Sequence, residues 1–145
     1  MKLRSFQLSD VHDVLQIWQE TAIYECEKET LTVLSEQLAI DRDLVLVAEL
    51  ENGRVVGAIV GTKDGECGFF YCLAVNPEFQ KKKIGTKLVQ ALEERFVKKG
   101  VKRTWITVDE GTEKLLPFYK YLGYTNSCST RLEKDLLTME DRLIV

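Results

Sequence analysis

Between Cys67 and Val108 the spacing of apolar residues changes twice, and this change constrains the fold more than any other feature of the chain. Cys67 to Val75 is a strand-like run rich in apolar and aromatic residues. After Pro77, Ile84, Leu88, Ala91, Leu92, Arg95 and Phe96 recur at helical spacing, and Gly100 stands where a C-cap glycine belongs. A second β run, Arg103 to Val108, follows at once. Strand, long helix and strand make a parallel crossover unit, right-handed because twisted strands accept a helix only that way.

The segments before the crossover read as an antiparallel meander. Leu44 to Leu50, Arg54 to Thr62 and Cys67 to Val75 are separated by Asn52-Gly53 and Asp64-Gly65, dipeptides that take the positive φ angles of tight hairpins. Leu44-Val45-Leu46-Val47-Ala48 is apolar on both faces, which requires a sheet covered on both sides. At the start, a strand over Lys2 to Gln7 leads to Asp10, an N-cap with Asp13 in the first turn. Val11, Val14, Leu15, Ile17 and Trp18 then share one helical stripe. A second helix is expected from about Thr30 to Ile40, after the acidic stretch Tyr24 to Glu29. Towards the end come a short helix closing near Leu122 and Gly123 and a last strand from about Tyr124 to Leu132. No linker or internal repeat interrupts the chain, so residues 1–145 are expected to be one domain.

With 45% apolar and 30% charged residues and only two prolines, collagen-like and disordered classes are excluded. A net charge of -3 supplies no global field for nucleic acid or a membrane surface. Gly68-Phe69-Phe70-Tyr71 superficially resembles an RNA-binding strand but lacks the preceding basic-glycine pattern. The longest apolar stretch, Val55 to Gly61, is far short of the ~20 residues of a spanning helix, and the first residues lack a signal-peptide core. A cytoplasmic protein with neither a membrane nor a nucleic-acid partner is expected. Cys26, Cys67, Cys72 and Cys128 form no paired motif and only His12 could join them, so no metal is expected and the cysteines read as free thiols.

Chemistry is indicated where the crossover helix begins. Beyond the carboxyl end of a parallel strand, a helix offers unpaired N–H groups and the positive end of its dipole. Here that place is Phe79-Gln80-Lys81-Lys82-Lys83-Ile84-Gly85-Thr86. Three lysines at a helix start oppose the dipole by roughly 0.3–1 kcal/mol each, which asks for a bound anion. Neither a nucleotide P-loop nor a dinucleotide fingerprint is present: Gln80 stands at the P-loop's first glycine and Gly85-Thr86-Lys87 reverses its order.

Gln80-Lys81-Lys82-Lys83-Ile84-Gly85, preceded by Leu73-Ala74-Val75-Asn76-Pro77, resembles the Gln/Arg-x-x-Gly-x-Gly/Ala motif of the GNAT superfamily of acetyl-CoA-dependent N-acetyltransferases. Leu116-Pro117-Phe118-Tyr119-Lys120-Tyr121-Leu122-Gly123-Tyr124 is similar to the family's Phe-Tyr-x-x-x-Gly-Phe/Tyr segment. The resemblance covers nearly the whole chain and is close to short single-domain microbial members. It implies an α/β fold with a mixed, mostly antiparallel twisted sheet flanked by helices in the order βααβββαβαβ. The chain departs from the pattern at Lys83, where the family has its first glycine, and at Thr112, where an asparagine is frequent.

By this resemblance the amides of Gln80, Lys81, Lys82, Lys83, Ile84, Gly85 and Thr86 would hold the pyrophosphate of acetyl-CoA. Backbone groups of Leu73, Ala74 and Val75 would pair with the pantetheine arm as a neighbouring strand would, with Thr112 and Leu115 on its other side. The implied reaction is direct attack of a primary amine on the thioester, with Tyr119 as the phenol serving the departing sulfur. The acceptor would be a small-molecule amine or a protein amino group. An amine of pKa near 10.4 carries a cost of about 4.6 kcal/mol in free-base population at pH 7, so a base or water chain is required. Phe69 occupies the position of the strand glutamate that some members carry, leaving Asp109, Glu110, Glu66 and Glu25 as carboxylates that could act through water. Glu25, Glu27 and Glu29 mildly favour a cationic acceptor. The rival reading is a non-catalytic acyl-CoA-binding or partner-binding module, against which Tyr119 argues. Leu132, Leu136, Met139 and Leu143 leave open a face for a second subunit, giving a homodimer, or a strand end followed by a loose tail.

Overall fold

The computed structural model describes residues 1–21, 32, 34–108, 113–127, 130 and 132–136. They fall within two compact units, Met1–Thr107 and Val108–Val145.

The first unit is an α/β layer structure. Strands β1 (Lys2–Ser5), β2 (Val45–Glu49), β3 (Val55–Asp64), β4 (Cys67–Val75) and β5 (Arg103–Trp105) form one sheet in the order β1-β2-β3-β4-β5. All neighbours are antiparallel except β4 and β5, the pair joined by the crossover. Helices α1 (Val11–Glu20) and α3 (Ile84–Lys98) accompany the sheet, and residues 34–40 form helix α2. The start expected for α2 lies outside the described residues.

The all-apolar run in β2 is buried on both faces, as its composition requires. One core layer joins Phe6, Val14, Ile17, Trp18 and Leu34 to Val45, Val47, Val60 and Ala58 of the sheet. On the opposite face α3 sits close, because the sheet presents glycines beneath its large side chains. A Cβ on Gly61 would stand 2.8 Å from Leu92 Cδ1, and one on Gly68 2.9 Å from Phe96. Residues Phe96 to Val101 close α3 in a Schellman motif. Val101 N–H donates to Phe96 O and Gly100 N–H to Val97 O, with Gly100 at φ 86°.

Three local expectations change. Asp10 precedes α1 but does not cap it. Its carboxylate turns back to the Gln7 N–H at 2.8 Å and to Arg4, which it meets through two nitrogens at 2.8 and 2.9 Å. Strand β5 stops at Trp105 rather than Val108, because β4 changes course. Ala58 pairs with Ala74 and Val60 with Tyr71, so Cys72 and Leu73 together oppose Ile59 in a bulge, with Cys72 at φ 54°. Trp18 Nε1 donates to the Cys72 carbonyl at 2.9 Å and holds the bulge against α1. The free-thiol expectation holds for Cys67 and fails for Cys72, which is disulfide-bonded to a partner outside the described residues. Sequence spacing carries no information on which cysteines meet in space.

In the second unit a short 3₁₀ turn, Glu113–Leu115, leads into α4 (Leu116–Tyr121). A second Schellman motif ends it: Tyr124 N–H donates to Tyr119 O and Gly123 N–H to Lys120 O. Among the described residues of 124–132 there is no strand. Thr125, Asn126 and Ser127 are exposed, and a polar run with nothing to bury has no drive to pair. Leu132 and Leu136 are exposed as well, while Met139 and Leu143 lie outside the described residues. No described helix is long and apolar enough to cross a membrane.

Candidate active site

At the end of β4, Asn76 N–H donates to Val56 O at 2.8 Å. Main-chain groups alternate sides along an antiparallel strand, so Ala74 also turns its peptide groups to β3, and those of Leu73 and Val75 face away from it. Of the three residues expected to offer backbone to a pantetheine arm, Ala74 is thus engaged with its neighbouring strand. The Val75 carbonyl accepts from Gln80 Nε2 at 3.0 Å, a contact that ties the loop to the strand and that the motif alone did not disclose.

The loop then turns through backbone that only special positions adopt. Lys81 and Lys83 are both left-handed, at φ 64°. For a residue with a Cβ that conformation costs roughly 1–2 kcal/mol, and such strain concentrates at functional sites. Lys83 is the N-cap of α3. It makes no side-chain capping bond, and the first turn carries no acidic residue. The N–H groups of Ile84, Gly85 and Thr86 therefore sit at an uncapped helix start, where a helix has no acceptors of its own, beside three exposed lysines. An oxyanion fits this donor set and a cation does not.

Sequence reading missed the side chains that brace the loop. The Phe79 ring is met by two cations: Arg54, just before β3, is 5.5 Å and Lys82 Nζ 5.3 Å from its centroid. Arg54 is 25 residues away in sequence, and no motif links it to the loop.

Other candidates are placed as follows. Glu66 is exposed and meets Lys102 Nζ at 3.2 Å, and His12 is exposed on α1. Phe69, at the position of the missing strand glutamate, is 39% exposed. Glu25, Glu27, Glu29, Asp109, Glu110 and Thr112 lie outside the described residues. In the second unit Leu115 closes the 3₁₀ turn and Tyr119 is buried in α4, its ring edge-on to Phe118 and Tyr124 at 5.1 and 6.2 Å between centroids. Burial pushes the Tyr119 hydroxyl up to about 12. Among the described residues no group of three or more His, Cys, Asp and Glu side chains is placed to hold a metal.

Known structures share this architecture. Ard1 from Thermoplasma volcanium superposes with a TM-score of 0.78 at 22% identity, over 88% of this chain and 84% of that one. Rv2747 from Mycobacterium tuberculosis, solved in complex with CoA and NLQ, gives 0.73 at 22% identity over 98% and 82%. Glucosamine-6-phosphate N-acetyltransferase from Arabidopsis thaliana gives 0.69 at 20% identity over 92% and 97%. These likenesses establish the fold. Residues 11–124, from the first turn of α1 through the Schellman motif after α4, match the acetyltransferase (GNAT) family, whose acyl donor is acetyl-CoA. A match over most of the chain, carried on that fold, makes this protein a member of the GNAT family and an acyltransferase of its type.

Proposed function

We propose that residues 1–145 act as one N-acetyltransferase domain, in the cytoplasm, that moves the acetyl group of acetyl-CoA to a primary amine by direct attack. The observation that carries this reading is the start of α3: an uncapped first turn entered through two left-handed lysines, directly after the β4 edge. The amides of residues 80–86 hold the pyrophosphate, with Lys81, Lys82 and Lys83 answering its charge. Leu73 and Val75 offer backbone to the pantetheine arm, Ala74 holds the strand against β3, and Leu115 and Thr112 line the other side. The acceptor nitrogen attacks the thioester carbonyl carbon, a C–N bond forms, and the C–S bond breaks. The amine loses one proton, to water or a carboxylate, the sulfur gains one from the Tyr119 hydroxyl, and the phenolate takes a proton back from water, so thiol and amide leave in balance. The acceptor is a small amine or a protein amino group, and the N-acetyltransferase activity of the Arabidopsis neighbour supports nitrogen as the accepting atom. The Cys72 disulfide opposes the reducing compartment that a cytoplasmic location implies, and the oxidation state of Cys72 in cells tests that location.

Gly85→Glu places a carboxylate beside the proposed pyrophosphate. Calorimetric titration with acetyl-CoA is expected to show binding to the wild type and a loss of at least about tenfold in a folded Gly85→Glu variant, equivalent to 1.4 kcal/mol. Equal affinity in the two proteins refutes the site.

A further inference from the structure

The parallel ladder between β4 and β5 has three register pairs and ends at Phe69 opposite Trp105, although β4 runs on to Val75. The two strands part at this pair, in the crevice where open parallel strands receive ligands. Gly68 and Phe70 face α3: a Cβ on Gly68 would meet Phe96, and Phe70 is buried. Alternation therefore puts Phe69 on the opposite face, and its register partner Trp105 shares that face. Tyr71, next along, packs on the core cluster around Trp18 and hydrogen-bonds Gln37. Phe69 is left 39% exposed in mid-sheet. The indole Nε1 of Trp105 is buried and has no hydrogen-bond partner among the described residues, an unusual state for a donor of this kind.

We propose that Phe69 and Trp105 select the acceptor, and that the acceptor is the α-amine of a peptide whose first residue is uncharged. This rests on the acetyl-transfer reading above. A neutral ring at position 69 packs on an apolar first side chain and gives no counter-charge to a polycation. Unlike a carboxylate there, it does not hold the amine protonated, so the free base needed for attack is more populated. Trp105 Nε1 only donates, and it requires an oxygen. A peptide supplies its first carbonyl oxygen two bonds from the carbon that bears the amine, whereas a simple polyamine has none.

The test compares a leucine-first peptide with the same peptide in which the first carbonyl is reduced to CH₂, and with spermidine, each assayed by thiol release alongside calorimetry with acetyl-CoA. In the wild type, loss of the carbonyl is expected to raise KM about tenfold. Trp105→Phe, which keeps the ring and deletes the donor, is expected to raise KM about tenfold for the intact peptide and to leave the reduced peptide unchanged. Acetyl-CoA affinity stays the same and Tm the same or higher, because an unmet donor is gone. Phe69→Ala is expected to raise KM for the peptide more than fivefold. Trp105→Phe acting equally on both peptides, spermidine acetylated in preference to the peptide, or acetyl-CoA bound with the peptide left unmodified would each overturn the proposal. Failure of the wild type to bind acetyl-CoA would instead overturn the functional reading on which it rests.

Discussion

Tyr119 illustrates what one side chain's surroundings decide. Its ring packs edge-on between Phe118 and Tyr124, and burial raises its hydroxyl to about 12, so the phenol stays protonated throughout the neutral range. A group that donates a proton to sulfur must be in that form. Tyr119→Phe is expected to lower kcat by roughly 10² to 10⁴-fold, with acetyl-CoA affinity and folding little changed. Because the hydroxyl does not titrate between about pH 6 and 9, the variant should keep the wild-type shape of the rate profile over that range. Tyr119→Ala is expected to lose about 3–5 kcal/mol of stability in denaturant unfolding, since the ring itself fills space. Wild-type turnover in Tyr119→Phe would make the residue a packing aromatic. The motif Phe118-Tyr119 was readable in sequence; the upward shift was not, because desolvation belongs to the folded surroundings.

At the scale of an element, α3 shows a helix whose two ends were unequally legible. Its apolar stripe and its closing Gly100 follow from residue spacing, and both are found. Its start departs from the usual rules: the N-cap is a lysine in left-handed backbone, with no capping side chain and no acidic first turn. Lys83→Gly should remove the Cβ strain, less the extra chain entropy of glycine, and raise stability by about 0.5–1 kcal/mol in urea unfolding. Lys83→Ala keeps a Cβ and is expected to gain nothing. In calorimetry with acetyl-CoA, Lys83→Gly should weaken binding less than Lys83→Ala, because it restores close backbone approach while both variants lose the charge. Equal stability and equal affinity in the two variants would show that the left-handed backbone imposes neither strain nor function. The close seating of the same helix could not be read from its own sequence. It depends on Gly61 and Gly68 lying under Leu92 and Phe96, a match between residues distant in sequence.

For the molecule as a whole, stability against acid depends on a network joining the edge of the sheet to the entry of α1. Arg4 meets Asp10 through two nitrogens and Glu49 at 3.0 Å, linking β1, β2 and the turn before α1. Burial opposes the charge on Asp10, yet the hydrogen bonds from Arg4 and the Gln7 N–H outweigh it and hold the carboxyl below its ordinary 3.8. A carboxylate depressed on folding contributes stability that is present above its unfolded pKa and is lost as pH falls through the folded one. Unfolding free energy should therefore be level in this contribution above about pH 5 and decline below pH 3.8. Asp10→Asn is expected to cost about 3–5 kcal/mol at neutral pH and to flatten part of the acid decline, as followed by denaturant titration at several pH values. An unchanged acid slope in the variant would remove Asp10 from the network. The crossover unit, the hairpin turns and the doubly covered sheet were determined by the sequence alone, and the basic helix start proposed to hold an anion was legible there too, because periodicity, turn residues and helix-end charges act over a few neighbouring positions. The bulge at Cys72, the early end of β5, the turning of Asp10 from α1 towards Arg4, the Cys72 disulfide and the unmet indole of Trp105 were decided only in the tertiary structure. Each depends on which distant residues come to lie side by side, and that proximity is a property of the packed chain rather than of any local stretch of it.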